Sequence, residues 1–167
     1  MQKIIGIFYI CFGTYLLLVS LLIKEYTSVG AVPDSVWEMA GLPSRGLQLQ
    51  QWVRQGVPIA LFKRLAAILD ISEGQLRQFL CMSSSTLFKR LAAGRLSTLE
   101  SDRLCSLVNV LDAAYSLFEK DLGMTREWMR APVLGLDSRS PLEMMRYRVE
   151  AQAVVDIIGR LEAGVHA

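Results

Sequence analysis

The sequence predicts an all-α protein in which a helix-turn-helix bundle is followed by a smaller helical part. Beyond residue 46 the apolar residues recur with helical spacing, and no alternation typical of β-strands appears. Where such stretches begin, a Ser often stands three residues before a Gln or Glu, which is the pattern of a helix capping box. The heptapeptide LFKRLAA also occurs twice, at residues 61–67 and 87–93, with different flanks.

The first 46 residues differ from the remainder. Residues 4–23 are twenty residues without a charge, which is the length that a membrane-spanning helix needs. Three interpretations are open: a membrane anchor, a buried helix, or a stretch that precedes the true start because the start codon was assigned too early. Residues 25–46 contain several Gly and Pro residues and predict a linker or a loosely ordered arm.

Two helices are predicted next. Residues 47–55 form a short candidate helix, and Pro58 stands where a first-turn proline opens another. The first copy of LFKRLAA lies in this second helix, whose broad apolar stripe includes Ile59, Phe62, Ala66 and Leu69. We therefore expect the first copy to be part of the core scaffold.

A helix-turn-helix motif follows. Ser72 and Gln75 form a capping box that starts a short helix ending near Leu80. After a turn of about four residues, a further helix begins at Ser83 and ends before Gly94, a residue type common just past helix C-termini. Two short helices joined by a tight turn are the helix-turn-helix arrangement.

The second copy of LFKRLAA lies in the second helix of this pair and follows three serines. Its exposed face is predicted to carry small hydroxyl groups and two cations, with Leu87 and Leu91 pointing inward. Such a face suits a recognition helix that enters the major groove and contacts phosphates at its edges. An ordinary helical hairpin with solvated Lys and Arg is the alternative. The predicted exposed face consists of Ser84, Ser85, Lys89 and Arg90.

Two more capping boxes organise the rest of the chain. Ser97 and Glu100 open a long amphipathic helix, and Ser140 and Glu143 precede a segment that is predicted to be helical again from Leu142. The apolar stripe of this last segment is Val149, Ala153, Val154, Ile157, Ile158 and Leu161.

The composition argues against an enzyme or a metalloprotein. His166 is the only histidine, and Cys11, Cys81 and Cys105 are far apart, so neither a metal cluster nor a nucleophile–base pair suggests itself. We predict no cofactor. The odd number of cysteines fits a reducing compartment. Residues 44–130 carry 12 Lys and Arg against 8 Asp and Glu, which is a modest positive surface for a polyanion.

Three motifs occur in a specific order: GRLS-x-x-ESDRL after the candidate recognition helix, W-x-x-x-P followed by SPLE, and the ending GRLEAGVHA. On these motifs the chain from about Gly56 to the end resembles the Xre/MbcA/ParS family of antitoxins. Cys81 departs from the family pattern, because it occupies the turn position where Gly is usual, and Val133 stands where Asn often follows the Pro. The first forty or so residues match nothing in the family, which favours a misassigned start.

Three parts are predicted: an apolar segment and linker at residues 1–46, an Xre-like helix-turn-helix domain at 47–120, and a toxin-binding domain at 121–167. The resemblance implies the last two. The resemblance implies a non-enzymatic type II antitoxin that occludes the active site of an NAD⁺-degrading RES-type toxin and represses its own operon on operator DNA. A homodimer is expected, because one short recognition helix supplies too few contacts and paired half-sites supply enough. A cytoplasmic location follows. The alternative is a helix-turn-helix transcriptional regulator tethered to the inner membrane through residues 4–23.

Candidate contact residues follow from this interpretation. The predicted DNA-binding residues are Ser84, Ser85, Thr86, Lys89, Arg90 and Arg95. A core does not need the many charged groups of the C-terminal part, and the resemblance implies that a toxin binds there. The predicted toxin-binding residues are Arg139, Arg146, Arg148, Arg160, Glu162, Gly164, Val165, His166 and Ala167.

Overall fold

The computed structural model describes residues 33–164, which form eight α-helices joined by short loops. Two single 3₁₀ turns, Leu134–Leu136 and Glu143–Arg146, lie between the last two helices. Within residues 33–164 no β-strand forms, so the all-α prediction is confirmed. The helices are α1 (Val36–Ala40), α2 (Gly46–Gln55), α3 (Ile59–Leu69), α4 (Glu73–Phe79), α5 (Ser84–Ala93), α6 (Thr98–Leu117), α7 (Leu122–Arg130) and α8 (Arg148–Glu162).

Helix α6 is the central element of the fold. It packs against α1, α2, α7 and α8, and its apolar side chains are buried on more than one face. Leu104, Leu107 and Leu111 have no exposed surface and lie in one cluster with Phe62 and Leu65 of α3. Because the same helix serves the earlier and the later part of the chain, residues 33–164 share a single continuous core.

The predicted helix starts are confirmed by their hydrogen bonds. Ser72 and Gln75 form a reciprocal capping box at α4, and Ser97 and Glu100 form another at α6. The Ser83 hydroxyl accepts a hydrogen bond from an amide in the first turn of α5. Each of these contacts satisfies backbone amides that the helix itself leaves without a partner. The boundaries predicted for the helix-turn-helix are therefore correct.

Part of the predicted linker is folded. Val36 and Trp37 of α1 are buried, and the Val36 amide donates a 2.7 Å hydrogen bond to the Asp112 carboxylate of α6. The expectation of a loosely ordered arm is wrong for residues 33–46. The Gly and Pro residues there flank the short packed helix α1. Gly41 ends this helix in the left-handed conformation, with a φ of 75°.

The segment after Leu142 also differs from the prediction. The Ser140 and Glu143 hydrogen bonds of a capping box are present, but they lead into a 3₁₀ turn. Tyr147 then has extended backbone, and α8 begins only at Arg148. As a result Val149 lies in the first turn of α8 and is 84% exposed, so its assignment to the apolar stripe is wrong. The deepest residues of that stripe are Val154, Ile157 and Ile158.

The uncharged run at residues 4–23, with its three interpretations, lies outside the residues that the structure describes. Among residues 33–164, no helix has the length and apolar character needed to cross a bilayer.

Candidate functional site

The two copies of LFKRLAA lie in opposite environments. In α3 the phenylalanine of the first copy, Phe62, has no exposed surface, whereas its counterpart Phe88 in α5 is 72% exposed. No residue of α5 is fully buried. The first copy is therefore core scaffold, as predicted. The second copy presents most of its surface to solvent, which is the property that a DNA recognition helix requires.

The turn between α4 and α5 is held by two arginines. Arg77 donates a 2.6 Å hydrogen bond to the Met82 carbonyl, and Arg103 of α6 donates one of 3.1 Å to the Leu80 carbonyl. Between these anchors Cys81 is exposed and has a φ of 54°. This left-handed conformation explains why glycine is usual at this turn position. A residue with a side chain in the same conformation costs about 1 kcal/mol.

The exposed face of α5 agrees with the prediction except at Arg90. The Arg90 side chain is half-buried, and its Nε donates a 2.7 Å hydrogen bond to the Glu100 carboxylate of α6. With about 100° of rotation per residue, Arg90 falls on the side of Leu87, which packs against the core. The hydroxyl of Thr86 lies 2.8 Å from that of Ser83, within the cap. The predicted residues that do lie on the exposed face are Ser84, Ser85 and Lys89.

Glu100 connects the end of α5 to the start of α6. Its buried carboxylate accepts hydrogen bonds of 2.7 Å from both the Ser97 amide and the Arg90 guanidinium. Burial by itself raises the pKa of Glu100, but the hydrogen bonds from Ser97 and Arg90 outweigh it and hold the pKa below its ordinary value. The charged form of Glu100 is therefore part of the fold.

The loop after α5 is fastened to the loop before α3. The Arg95 guanidinium donates a 2.7 Å hydrogen bond to the Gly56 carbonyl, and the Leu96 amide donates one of 2.9 Å to the Val57 carbonyl. The buried Ser101 hydroxyl accepts a 2.8 Å bond from the Val57 amide. Arg95, a predicted DNA contact, is therefore exposed, but its guanidinium already donates a hydrogen bond within the chain. The hydrogen bonds of the motif GRLS-x-x-ESDRL connect α5 to the elements around it, so the main role of this motif is to fix the position of α5.

Sequence reasoning missed Phe88 as a surface residue. In the first LFKRLAA the phenylalanine belongs to the core, and a large aromatic side chain is ordinarily assigned there. A helical wheel drawn from Ser85 would have found it, because Phe88 lies three residues later and on the same exposed side.

In the C-terminal half, two predicted toxin-binding arginines form ion pairs within the chain. Arg139 donates hydrogen bonds of 2.7 and 3.3 Å to the two carboxylate oxygens of Glu150, which lowers the pKa of Glu150 and raises that of Arg139. Arg148 lies 3.5 Å from Asp102 of α6. The Arg146 side chain is exposed.

The last turn of α8 is exposed. Arg160, Glu162 and Gly164 all lie at the surface, and Gly164 has a φ of 70°. The other three predicted residues, Val165, His166 and Ala167, lie outside the residues that the structure describes. The helix therefore ends in an exposed turn that is available to a partner.

Two further arginines connect α7 to the C-terminal end of α3. From α7, Arg126 donates a 2.6 Å hydrogen bond to the Ile68 carbonyl, and Arg130 donates one of 2.7 Å to the Asp70 carbonyl. These carbonyls are at the C-terminal end of α3, where cations are also favoured by the helix dipole. Within residues 33–164, no three His, Cys, Asp or Glu side chains form a group that could hold a metal ion.

An exposed second helix with hydroxyl groups in its first turn and a lysine in its second defines a helix-turn-helix DNA-binding protein with an additional helical part. Comparison with known families agrees. The antitoxin Xre-like helix-turn-helix domain matches residues 48–109, and the antitoxin Xre/MbcA/ParS C-terminal toxin-binding domain matches residues 113–164.

Individual relatives support the same assignment. The protein named Antitoxin Xre of Yersinia enterocolitica is 34% identical over 133 residues, which cover 78% of this chain and 90% of the relative. The Antitoxin Xre of Photorhabdus laumondii is 26% identical over 134 residues, covering 79% and 90%. The chain belongs to the Xre/MbcA/ParS family of type II antitoxins, with a DNA-binding domain and a toxin-binding domain.

Proposed function

We propose that this antitoxin neutralises a RES-type toxin that degrades NAD⁺, by placing the end of α8 at the mouth of the toxin's active site. The observation that carries the proposal is the exposure of the end of α8, where Arg160 and Glu162 of the last turn and Gly164 just beyond it face solvent. The resemblance to the family supplies the class of toxin. We expect the protein to act in the cytoplasm without enzymatic activity of its own, since both operator DNA and NAD⁺ are there.

The chemistry of this end suits an active-site pocket. Arg160 and Glu162 offer one cation and one anion to polar groups at its mouth, and the small side chains of Ala163 and Gly164 allow the chain to approach a pocket with little steric cost. Arg146 adds a second exposed cation. Arg139 and Arg148 already form ion pairs within the chain, so we assign them a role in fixing the shape of the toxin-binding surface.

The same antitoxin is proposed to repress its own operon through α5. Ser84, Ser85 and Lys89 would contact DNA directly, while Arg90 and Arg95 hold the helix in place. One short helix contacts too little DNA for specific binding, so two copies on paired half-sites are needed. A homodimer is therefore part of the proposal.

The test of toxin neutralisation removes residues 160–167 and co-expresses the shortened antitoxin with the toxin encoded beside it. We expect the cells to stop growing and their NAD⁺ to fall, because the element that covers the active site is missing. DNA binding should persist, since α4, α5 and their anchors are intact. Growth with normal NAD⁺ at matched antitoxin levels would show that the end of α8 is not the inhibitory element.

Two full-length variants separate a defect in toxin binding from a defect in stability. The double replacement Arg160→Glu and Glu162→Arg keeps the half-buried Leu161 in place and reverses the exposed charges, so it should also fail to protect. Lys89→Ala is the matched control, because it changes the other half of the molecule and should protect fully. Protection by the charge-reversed variant would place the toxin-binding surface elsewhere.

A further inference from the structure

Phe88 is an unusual residue to find at the surface of α5. Its side chain is 72% exposed, and among the residues of α5 it is the one large apolar side chain in that state. The neighbouring Leu87 packs against the core, so the core does not need Phe88. Because α5 is the helix that a helix-turn-helix fold presents to DNA, an exposed aromatic side chain on it can contact a bound partner directly.

The surroundings of Phe88 indicate what that partner is. Ser85, Phe88 and Ala92 follow one another at helical spacings of three and four, so they form one stripe along the exposed side of α5. Lys89 lies beside this stripe, and α5 contains no acidic residue. A helix face that places a phenylalanine beside a cation, on a helix without acidic residues, is complementary to the floor and the phosphate edge of a DNA groove.

In the major groove, one base offers an apolar group. Thymine presents its C5-methyl there, whereas the other three bases present hydrogen-bonding atoms along the same edge. Phe88 has no group that forms conventional hydrogen bonds, so it gains most by packing against that methyl. We propose that Phe88 is a specificity-determining residue that selects thymine in each operator half-site. The inference rests on the autorepression proposed above, which supplies the DNA.

The experiment compares two forms of the promoter fragment of the protein's own operon. One is amplified with thymidine triphosphate and the other with deoxyuridine triphosphate, which leaves every phosphate in place and removes every thymine methyl. Burial of one methyl-sized group changes affinity about fourfold, so two half-sites predict a roughly fifteenfold weaker binding of the uracil fragment by the unchanged protein. Phe88→Ala should bind both fragments with nearly equal, weakened affinity.

Lys89→Ala is the matched control on the same helix. It should weaken binding to both fragments by the same factor and preserve the roughly fifteenfold ratio, because a phosphate contact does not depend on the base. Circular dichroism should show unchanged helicity for both variants, as both side chains are exposed.

Four outcomes would overturn the inference. If the unchanged protein binds the two fragments equally, or if Phe88→Ala retains the full ratio, Phe88 does not select thymine, although autorepression stands. If Phe88→Ala keeps DNA binding intact but loses toxin protection or dimer formation, the partner of Phe88 is a protein. Absence of binding to either fragment would remove the autorepression proposal together with this one.

Discussion

The Arg90 guanidinium donates a 2.7 Å hydrogen bond to the Glu100 carboxylate and thereby ties the recognition helix to the central helix α6. The neighbouring Lys89 lies about 100° further around α5 and is exposed. Two adjacent cations in one heptapeptide therefore have different surroundings: Arg90 positions the helix, whereas Lys89 is exposed to solvent. Substitutions at this ion pair and at the turn before α5 can separate these roles.

Replacing Lys89 and Arg90 separately by Ala should give different defects. Lys89→Ala should lower the slope of log affinity against log salt by about 0.9, because one phosphate is no longer neutralised, with a free energy of unfolding within about 0.5 kcal/mol of the unchanged protein. Arg90→Ala should lower the free energy of unfolding by about 1 to 3 kcal/mol, because it leaves the buried Glu100 carboxylate without its cation. Mobility-shift titrations and urea denaturation measure the two effects. A larger fall in salt slope for Arg90→Ala than for Lys89→Ala would reverse the assignment.

Stability should decline in acid partly through Glu100. The folded-state pKa of Glu100 is below its ordinary value, so the unfolded chain binds its proton first as the pH falls. The contribution of Glu100 is therefore complete above the unfolded pKa and is lost as the pH drops through the folded pKa. Urea denaturation from about pH 5 to about pH 3 should show this loss.

Glu100→Gln is the comparison for the acid dependence. It should reduce the decline without abolishing it, since the pKa values of Glu150 and Asp34 are also lowered by their cationic partners, Arg139 and Lys120. An identical decline in Glu100→Gln and the unchanged protein would mean that Glu100 is not the acid-sensitive group at the junction of α5 and α6.

Cys81→Gly should stabilise the protein. Cys81 holds a φ of 54°, and glycine adopts this conformation without the cost of about 1 kcal/mol that a β-carbon brings. The thiol also lies 3.8 Å from the Arg146 carbonyl, a weak contact that both Cys81→Gly and Cys81→Ala remove. Cys81→Ala keeps the β-carbon and should not gain stability. Equal unfolding free energies for the Gly and Ala variants would contradict the strain at this turn.

Gly56 and Gly46 allow a backbone clash to be separated from backbone strain. Both have positive φ, of 82° and 85°, but a β-carbon at Gly56 would lie 2.1 Å from the Leu96 carbonyl oxygen, whereas one at Gly46 meets nothing within 4 Å. We expect Gly46→Ala to cost about 1 kcal/mol and Gly56→Ala about 3 kcal/mol or more. Thermal unfolding of the two variants measures the difference. Similar losses would mean that the loop before α3 moves away from Leu96 at little cost.

The local elements were predictable because their causes are local. Ser72, Ser83 and Ser97 begin their helices as the sequence indicates, since each cap involves only residues three positions apart. The segment at residues 33–46 was not predictable in the same way. Val36 and Trp37 are ordered by contacts to α6, more than seventy residues further along the chain.

The candidate site was predictable as an element but not in all its side chains. The flanking serines distinguished the second LFKRLAA from the first, and the exposures of Phe62 and Phe88 confirm the difference. The Arg90 side chain is directed inward by its ion pair with Glu100. The sequence indicated that Glu100 caps a helix, but it did not indicate this ion pair. The contact residues themselves, and the division between parts near residue 120, stay predictions.

Helix α6 passes through both functional regions. The helix-turn-helix match ends at residue 109 and the toxin-binding match begins at residue 113, both inside this single helix of twenty residues, about 30 Å in length. There is no hinge along it, because its hydrogen-bonded turns are continuous. A toxin bound to the C-terminal part would therefore be held at a fixed angle to DNA bound by α5, because α6 connects the two regions without a hinge. Under the proposed function, the spacing of neighbouring half-sites would then decide whether two toxin-bound antitoxins fit side by side or clash.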